Sequence, residues 1–156
     1  MLVFDIPGFG KVEAQHLVLD YNGTLAENGQ LLDGVTSRLD QLAKRLSIHV
    51  ITADTFGSVA KALTGLPLHI VTIPPGNQGV AKKNYVESLG QAQVVAMGNG
   101  RNDALMLEKA RIGVAILMKE GACSQALMNA DLISLHICDA LDLLLNPLGL
   151  TATLRE

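Results

Sequence analysis

His16-Leu17-Val18-Leu19-Asp20-Tyr21-Asn22-Gly23-Thr24-Leu25 is the stretch on which the fold of this chain turns. Its first half is an unbroken aliphatic run, as expected of a strand covered on both faces. Its second half breaks into Asp, Asn and Gly, which end strands and turn chains. The same pattern recurs. Ile48-His49-Val50-Ile51 runs into Thr52-Ala53-Asp54, and residues 93–97 run into Gly98-Asn99-Gly100-Arg101-Asn102-Asp103. Residues 68–73, 112–117 and 132–135 are three further strand candidates, the first closed by Pro74-Pro75-Gly76. Helical patterns lie between them: Val35, Leu39, Leu42 and Leu46, then 58–63, 78–89, 102–110, a segment near Cys123, and 140–145.

Alternating strands and helices predict an α/β fold, a Rossmann-like three-layer sandwich around a central parallel sheet. Residues 1–6 and 9–14 flank Pro7-Gly8 and predict a β-hairpin ahead of that core. The expected organisation is one domain over 1–156: hairpin 1–15, α/β core 16–146 and a C-terminal tail 147–156. In such sheets ligands bind outside the C-terminal ends of the strands.

Composition narrows the classes. The 156 residues carry 15 acids against 12 Lys and Arg, a net charge of -3, so the basic footprint of a nucleic-acid or membrane-surface binder is missing. Aromatics are 3% with no Trp, which disfavours stacking platforms for single strands. Apolar residues are 49% and charged ones 17%, so disorder is not expected and some apolar surface is available for self-association. Met1-Leu2-Val3-Phe4-Asp5 reads unlike a secretory leader, and no apolar run approaches the roughly 20 residues of a membrane span. Two cysteines, Cys123 and Cys138, make neither a zinc motif nor a disulfide framework, and a cytoplasmic location is expected.

At the strand ends the expected convergence is Asp20, Thr52, a lysine of the Lys82-Lys83 pair, and Asp103. A carboxylate to attack phosphorus, a hydroxyl and an ammonium to hold its oxygens, and acids to bind Mg2+ are the parts of phosphoryl transfer. Singly each has a plainer reading: Asp20 and Asn22-Gly23 as a turn, Thr52, Asn102 or Asp103 as a helix cap, two lysines as a solvated face. Together, in this order, they favour the chemical reading.

With those residues in place the sequence resembles the haloacid dehalogenase superfamily, in particular the phosphorylation domain of P-type ATPases and small soluble relatives of it. Asp20-Tyr21-Asn22-Gly23-Thr24-Leu25 stands for the first motif and Thr52-Ala53-Asp54 for the second. Lys82, with Lys83 as the alternative, stands for the third. Gly98-Asn99-Gly100-Arg101-Asn102-Asp103 stands for the fourth. The resemblance implies Asp20 as the nucleophile of an aspartyl-phosphate, with Thr52, Ala53 and Lys82 around the phosphate. It implies a Mg2+ site from Asp20, the Asn22 backbone carbonyl, Asn99 and Asp103. Arg101 is a further candidate contact for a phosphate or an acidic substrate. A small phosphorylated substrate, or phosphate itself, is the implied ligand.

Two departures follow from the same comparison. Asn22 stands where the family's phosphatases carry an acid/base Asp, and an amide exchanges no proton near neutrality. Asn99 stands where the family has a metal-binding Asp, so a weak Mg2+ site is expected. The intervals between motifs leave no room for a cap or for the nucleotide-binding domain of a pump. Capless relatives either act on large substrates that cover the site or use a neighbouring subunit as a lid; the N-terminal hairpin and the low surface charge favour the second here, a homo-oligomer, dimer or tetramer. The expected function is a slow phosphohydrolase. The alternatives are a catalytically impaired descendant that binds phosphate, metal or protein, and a receiver-like phosphorylation switch. The scattered histidines His16, His49, His69 and His136 read as core or edge packing.

Overall fold

The computed structural model describes residues 1–54 and 57–156. The chain runs β1 (Leu2–Ile6), β2 (Gly10–Ala14), β3 (His16–Asp20), β4 (Ala26–Glu27), β5 (Gln30–Leu31), α1 (Val35–Ala43), β6 (Ser47–Thr52), α2 (Ser58–Ala62) and β7 (His69–Thr72). It continues α3 (Gln78–Ser88), β8 (Val94–Gly98), α4 (Ala104–Lys109), β9 (Ile112–Ile116), α5 (Ser124–Asn129), β10 (Leu132–Ser134), α6 (Ile137–Leu145) and α7 (Leu148–Leu154). Six strands form one parallel sheet in the order β10-β9-β8-β3-β6-β7.

β3 is central because its side chains have no polar face: Leu17, Val18 and Leu19 are fully buried. They divide between two cores. Leu17 and Leu19 pack with Val35, Leu39, Ile137 and Leu141 of α1 and α6. Val18 packs on the other face with Val86, Met106, Leu107 and Ala126 of α3, α4 and α5. At about 25 cal/mol per Å² of apolar area, these layers dominate the favourable side of folding. The order reverses between β3 and β8, because the chain leaves β7 at one edge and re-enters beside β3. That switch point opens a crevice at the C-terminal ends of both strands.

The hairpin β1–β2 pairs antiparallel, with Leu2, Phe4, Ile6, Val12 and Ala14 turned inward. It docks at the N-terminal ends of the sheet strands, where the Arg111 guanidinium donates to the Phe9 carbonyl at 2.8 Å. The site lies at the opposite ends, so the hairpin does not cover it within the chain. Three features differ from expectation. Residues 147–156, read as a tail, carry α7, whose Leu150 is buried. A second hairpin, β4–β5, follows the first motif; its turn has Asn28 at φ 50° and Gly29 at φ 77°, the positive pair that an Asn-Gly two-residue turn needs. His136, expected to pack, is exposed and caps α6, its Nδ1 accepting the Cys138 N–H. α6 is tied to α1 by Arg38, which donates twice to Asp142 at 2.8 and 2.7 Å. Among the described residues no single helix is long and apolar enough to cross a membrane.

Candidate active site

Asp20 ends β3, and the next residues turn sharply. Gly23 sits at φ 78°, and a Cβ there would lie 2.4 Å from the Asn99 amide nitrogen, so only glycine fits. The turn closes with Gly23 N–H donating to Ala26 O at 2.8 Å. The loop after β8 folds as tightly. Asp103, fully buried, accepts at Oδ2 from the Asn99 and Gly100 N–H groups at 3.0 and 2.8 Å. A Cβ on Gly98 would strike this carboxyl at 2.5 Å.

Between the two loops lies Lys82, one turn into α3 and 1% exposed. Its ammonium donates to Asp20 Oδ1 and Asp103 Oδ1, each at 2.6 Å. Burying an ammonium is costly unless it is paired, and here it is paired twice. Lys83 lies on the outer side of the helix, 3.6 Å from Glu87, so of the two lysines it is Lys82 that stands beside Asp20 and Asp103. Burial pulls the Lys82 pKa down, yet the two carboxylates outweigh it and hold the ammonium above its ordinary value. Asp20 is pushed up to about 7, first by burial and then by the Asp103 charge, with Lys82 opposing. One cation between two anions leaves the buried trio one negative charge in excess.

A cavity of about 270 Å³ opens on this trio, lined by Asp20, Asn22, Thr52, Ala53, Gln78, Lys82, Asn99, Gly100 and Asn102. Thr52 Oγ1 accepts the Asp54 N–H at 3.0 Å, so its own hydrogen is available to a ligand oxygen. Thr24 points its hydroxyl at Asp20 Oδ2 (3.4 Å) and Asn99 Oδ1 (3.5 Å). The Asn99 amide nitrogen donates to Gly121 O at 3.1 Å, which turns its carbonyl oxygen toward that hydroxyl. Asn22 is exposed at the rim.

Two expected residues take other places. Asp103 does not line the cavity: one oxygen holds two backbone N–H groups and the other holds Lys82, so it anchors the loop and the lysine. Arg101 is exposed and lies on a separate depression with Leu105, Gln125 and Asn129. Its side chain leaves the site because it begins a short 3-10 helix whose inner position belongs to Asp103. Gln78, which belongs to none of the four motifs, also lines the cavity. It precedes Lys82 by four residues and therefore shares its helix face, and its Oε1 accepts the Asn102 amide at 2.8 Å.

Among the lining residues, Asp20 carries a carboxylate and Asn99 and Asn22 carry carbonyl oxygens. This all-oxygen set suits a hard cation such as Mg2+, with a single formal charge to bind it. Among the described residues, no group of three or more His, Cys, Asp or Glu is placed to hold a metal. Three of the four histidines gather elsewhere, on the side of the sheet that α3 covers, beside Tyr85 of that helix. His49, 6% exposed, meets His16 Nδ1 at 3.1 Å and Tyr85 Oη at 2.9 Å and stacks on His69 at 5.1 Å between ring centroids.

No family model matches the chain. It is 39% identical over 85 residues to an uncharacterized protein of Methanocaldococcus jannaschii, MJ0073, across 52% of this chain and 91% of that one. Among solved structures it is similar to one described as a HAD (haloacid dehalogenase) superfamily subfamily III A hydrolase from Legionella pneumophila. The TM-score is 0.71 at 18% identity, over 90% of this chain and 87% of that one. It is also similar to 3-deoxy-D-manno-octulosonate 8-phosphate phosphatase from Moraxella catarrhalis, solved with magnesium, phosphate and KDO. There the TM-score is 0.67 at 16% identity, over 89% of this chain and 90% of that one. At these identities the structural likeness speaks to the fold. The ATPase likeness rests on the motif residues alone.

Proposed function

Because the chain belongs to the family of that Methanocaldococcus jannaschii protein and has the haloacid dehalogenase fold, we propose that it is a slow, Mg2+-dependent phosphohydrolase acting on a small phosphate monoester through Asp20. The observation that carries this reading is the Lys82 ammonium, 2.6 Å from both Asp20 and Asp103 beneath a polar cavity at the switch point of the sheet. An ammonium so buried and doubly paired is expensive to build for stability alone.

Asp20 is the nucleophile: its carboxylate oxygen attacks phosphorus, the bond to the ester oxygen breaks, and an aspartyl-phosphate forms. Lys82 and the Thr52 hydroxyl receive the phosphoryl oxygens, with the backbone around Ala53 beside them. Asp103 holds Lys82 on its bearing. Water then attacks the aspartyl-phosphate, and phosphate and the Asp20 carboxylate are released. The leaving alkoxide takes its proton from water, because Asn22 has none to give. Mg2+, when bound by Asp20, the Asn22 carbonyl and Asn99, supplies charge neutralisation for the phosphoryl group. The absent acid/base group is worth about 10²–10⁴-fold in rate, which is why turnover is slow.

A panel of phosphomonoesters with Mg2+, run on the wild type and on Asp20→Asn, tests this. Phosphate release that vanishes in the variant is expected; equal rates in the two refute it. The second reading, a binding module for phosphate, metal or protein, draws on Asn22 and Asn99 replacing two carboxylates. Phosphate-analogue binding that depends on Asp20 without measurable turnover favours it. Self-association into a dimer or tetramer remains part of the proposal, and a monomer in sedimentation at micromolar concentration counts against it.

A further inference from the structure

Beside the cavity over Asp20 lies a larger one of about 400 Å³. The two share Asn22, Thr52 and Ala53, so a ligand whose phosphoryl group meets Lys82 extends past Asn22 into the second space. The walls of the two differ in charge. The first holds the ammonium of Lys82. The second is lined by the Asp54 carboxylate, the Ser58 hydroxyl, Tyr21 and Gly29, and carries no Lys, Arg or His among its described lining residues. Asp54 is fixed there: its Oδ2 accepts from Ser58 Oγ and Val59 N–H, each at 2.8 Å, at the start of α2. Its field reaches the opposite wall, since the Tyr21 hydroxyl is raised first by burial and then by the charge of Asp54. The Tyr21 hydroxyl is itself committed, donating to Gly29 O at 3.2 Å.

We infer that Asp54 selects the leaving group, so that the substrate is the phosphate monoester of an uncharged polyhydroxy alcohol and carboxylated phosphate esters are rejected. A carboxylate only accepts hydrogen bonds, so it recognises hydroxyl donors. A second carboxylate in the same space meets like-charge repulsion and finds no cation to offset it. KDO, bound by the Moraxella catarrhalis enzyme, is a carboxylic acid, and its 8-phosphate is a substrate this cavity disfavours. The inference rests on the phosphohydrolase reading and goes beyond it by naming the substrate class.

Glycerol 3-phosphate and 3-phosphoglycerate differ at one end, a hydroxymethyl group against a carboxylate, and so isolate the charge. With Mg2+, the wild type is expected to favour glycerol 3-phosphate in kcat/KM by about tenfold, the effect of one charge several ångströms away in a half-wet cleft. Asp54→Asn keeps an acceptor for the Val59 N–H and the Ser58 hydroxyl and removes the charge, and it should raise the relative kcat/KM for 3-phosphoglycerate about tenfold. Ser58→Lys, at an exposed position beside Asp54, leaves the carboxylate in place but adds a cation to the same wall, and should shift the ratio in the same direction. An unchanged ratio in both variants, with Asp20-dependent turnover intact, overturns the inference and leaves the hydrolase reading standing. Absence of Asp20-dependent turnover on either ester overturns the hydrolase reading, and this inference with it.

Discussion

Replacing Asp20 by Asn should make the protein more stable near neutral pH while removing the proposed nucleophile. The reason lies in the buried trio, where the single ammonium of Lys82 faces the carboxylates of Asp20 and Asp103. Asp20 is 8% exposed, and burial together with the Asp103 charge raises it from 3.8 to about 7. An acid whose folded pKa exceeds its unfolded one costs stability once the pH passes the unfolded value, because the unfolded chain releases its proton first. The penalty therefore begins near pH 4 and is complete above about pH 7. At 1.36 kcal/mol per unit it amounts to about 4 kcal/mol, a large share of a typical domain's stability. Asparagine has the same shape without the charge and leaves Lys82 paired with Asp103 alone. Urea unfolding in chelator should give similar stabilities for wild type and variant near pH 4.5. The variant should lead by a few kcal/mol near pH 8. Added Mg2+ should then narrow the gap by stabilising the wild type. A variant no more stable than the wild type near pH 8, or a difference that does not grow with pH, refutes the reasoning.

Three further outcomes are expected. Asn22→Asp, an isosteric change at an exposed rim position, should raise phosphomonoester turnover by about 10²–10⁴-fold in a steady-state phosphate-release assay; an unchanged rate means that proton transfer was not what the site lacked. His49 is held down at about 4, first by burial and then by His16 and His69, so the unfolded chain gains a proton below pH 6.5 that the folded chain refuses. The wild type should accordingly lose about 3 kcal/mol relative to His49→Gln as the pH falls from 6.5 to 4, and denaturant titrations at several pH values read this. Asn22 and Asn99 both precede glycine, yet the attacking nitrogens are tied: Gly23 N–H to Ala26 O and Gly100 N–H to Asp103 Oδ2, each at 2.8 Å. Peptide maps of aged folded protein should show both amides intact, whereas conversion as fast as in the unfolded chain would show that these loops open.

Much of the fold was legible because its signals are local. The aliphatic runs of β3, β8 and β9 have no polar face, and that of β6 is broken only by the buried His49, a pattern that a sheet covered on both sides allows; all six sheet strands fall where the sequence carries such runs. The hairpin β4–β5 carried a readable Asn28-Gly29 turn, but its strands of two residues are too short to show alternation. α7 follows Pro147 without a polar side-chain cap, so nothing in residues 147–156 announces a helix. Its stability comes from burying Leu150 against the core that also holds β1.

The sequence alone determined the kinds of group at the strand ends and their order along the chain, because strand termini and turn residues are written in short windows. The tertiary structure decided where each group stands and which partners it takes. Lys82 and Lys83 are equivalent in composition, and only the phase of α3 against the sheet puts one between two buried carboxylates and the other, half-buried, beside Glu87 on the outer side. Asp103 and Asp20 are both acids at strand ends, yet the fold of residues 98–103 spends every oxygen of Asp103 on its own loop and on Lys82, leaving Asp20 to face the cavity. Such assignments depend on which atoms are left without partners once the chain has packed, and that is settled by contacts across 20 to 80 residues of sequence, as in Lys82 with Asp103 (21 apart) and Thr24 with Asn99 (75 apart).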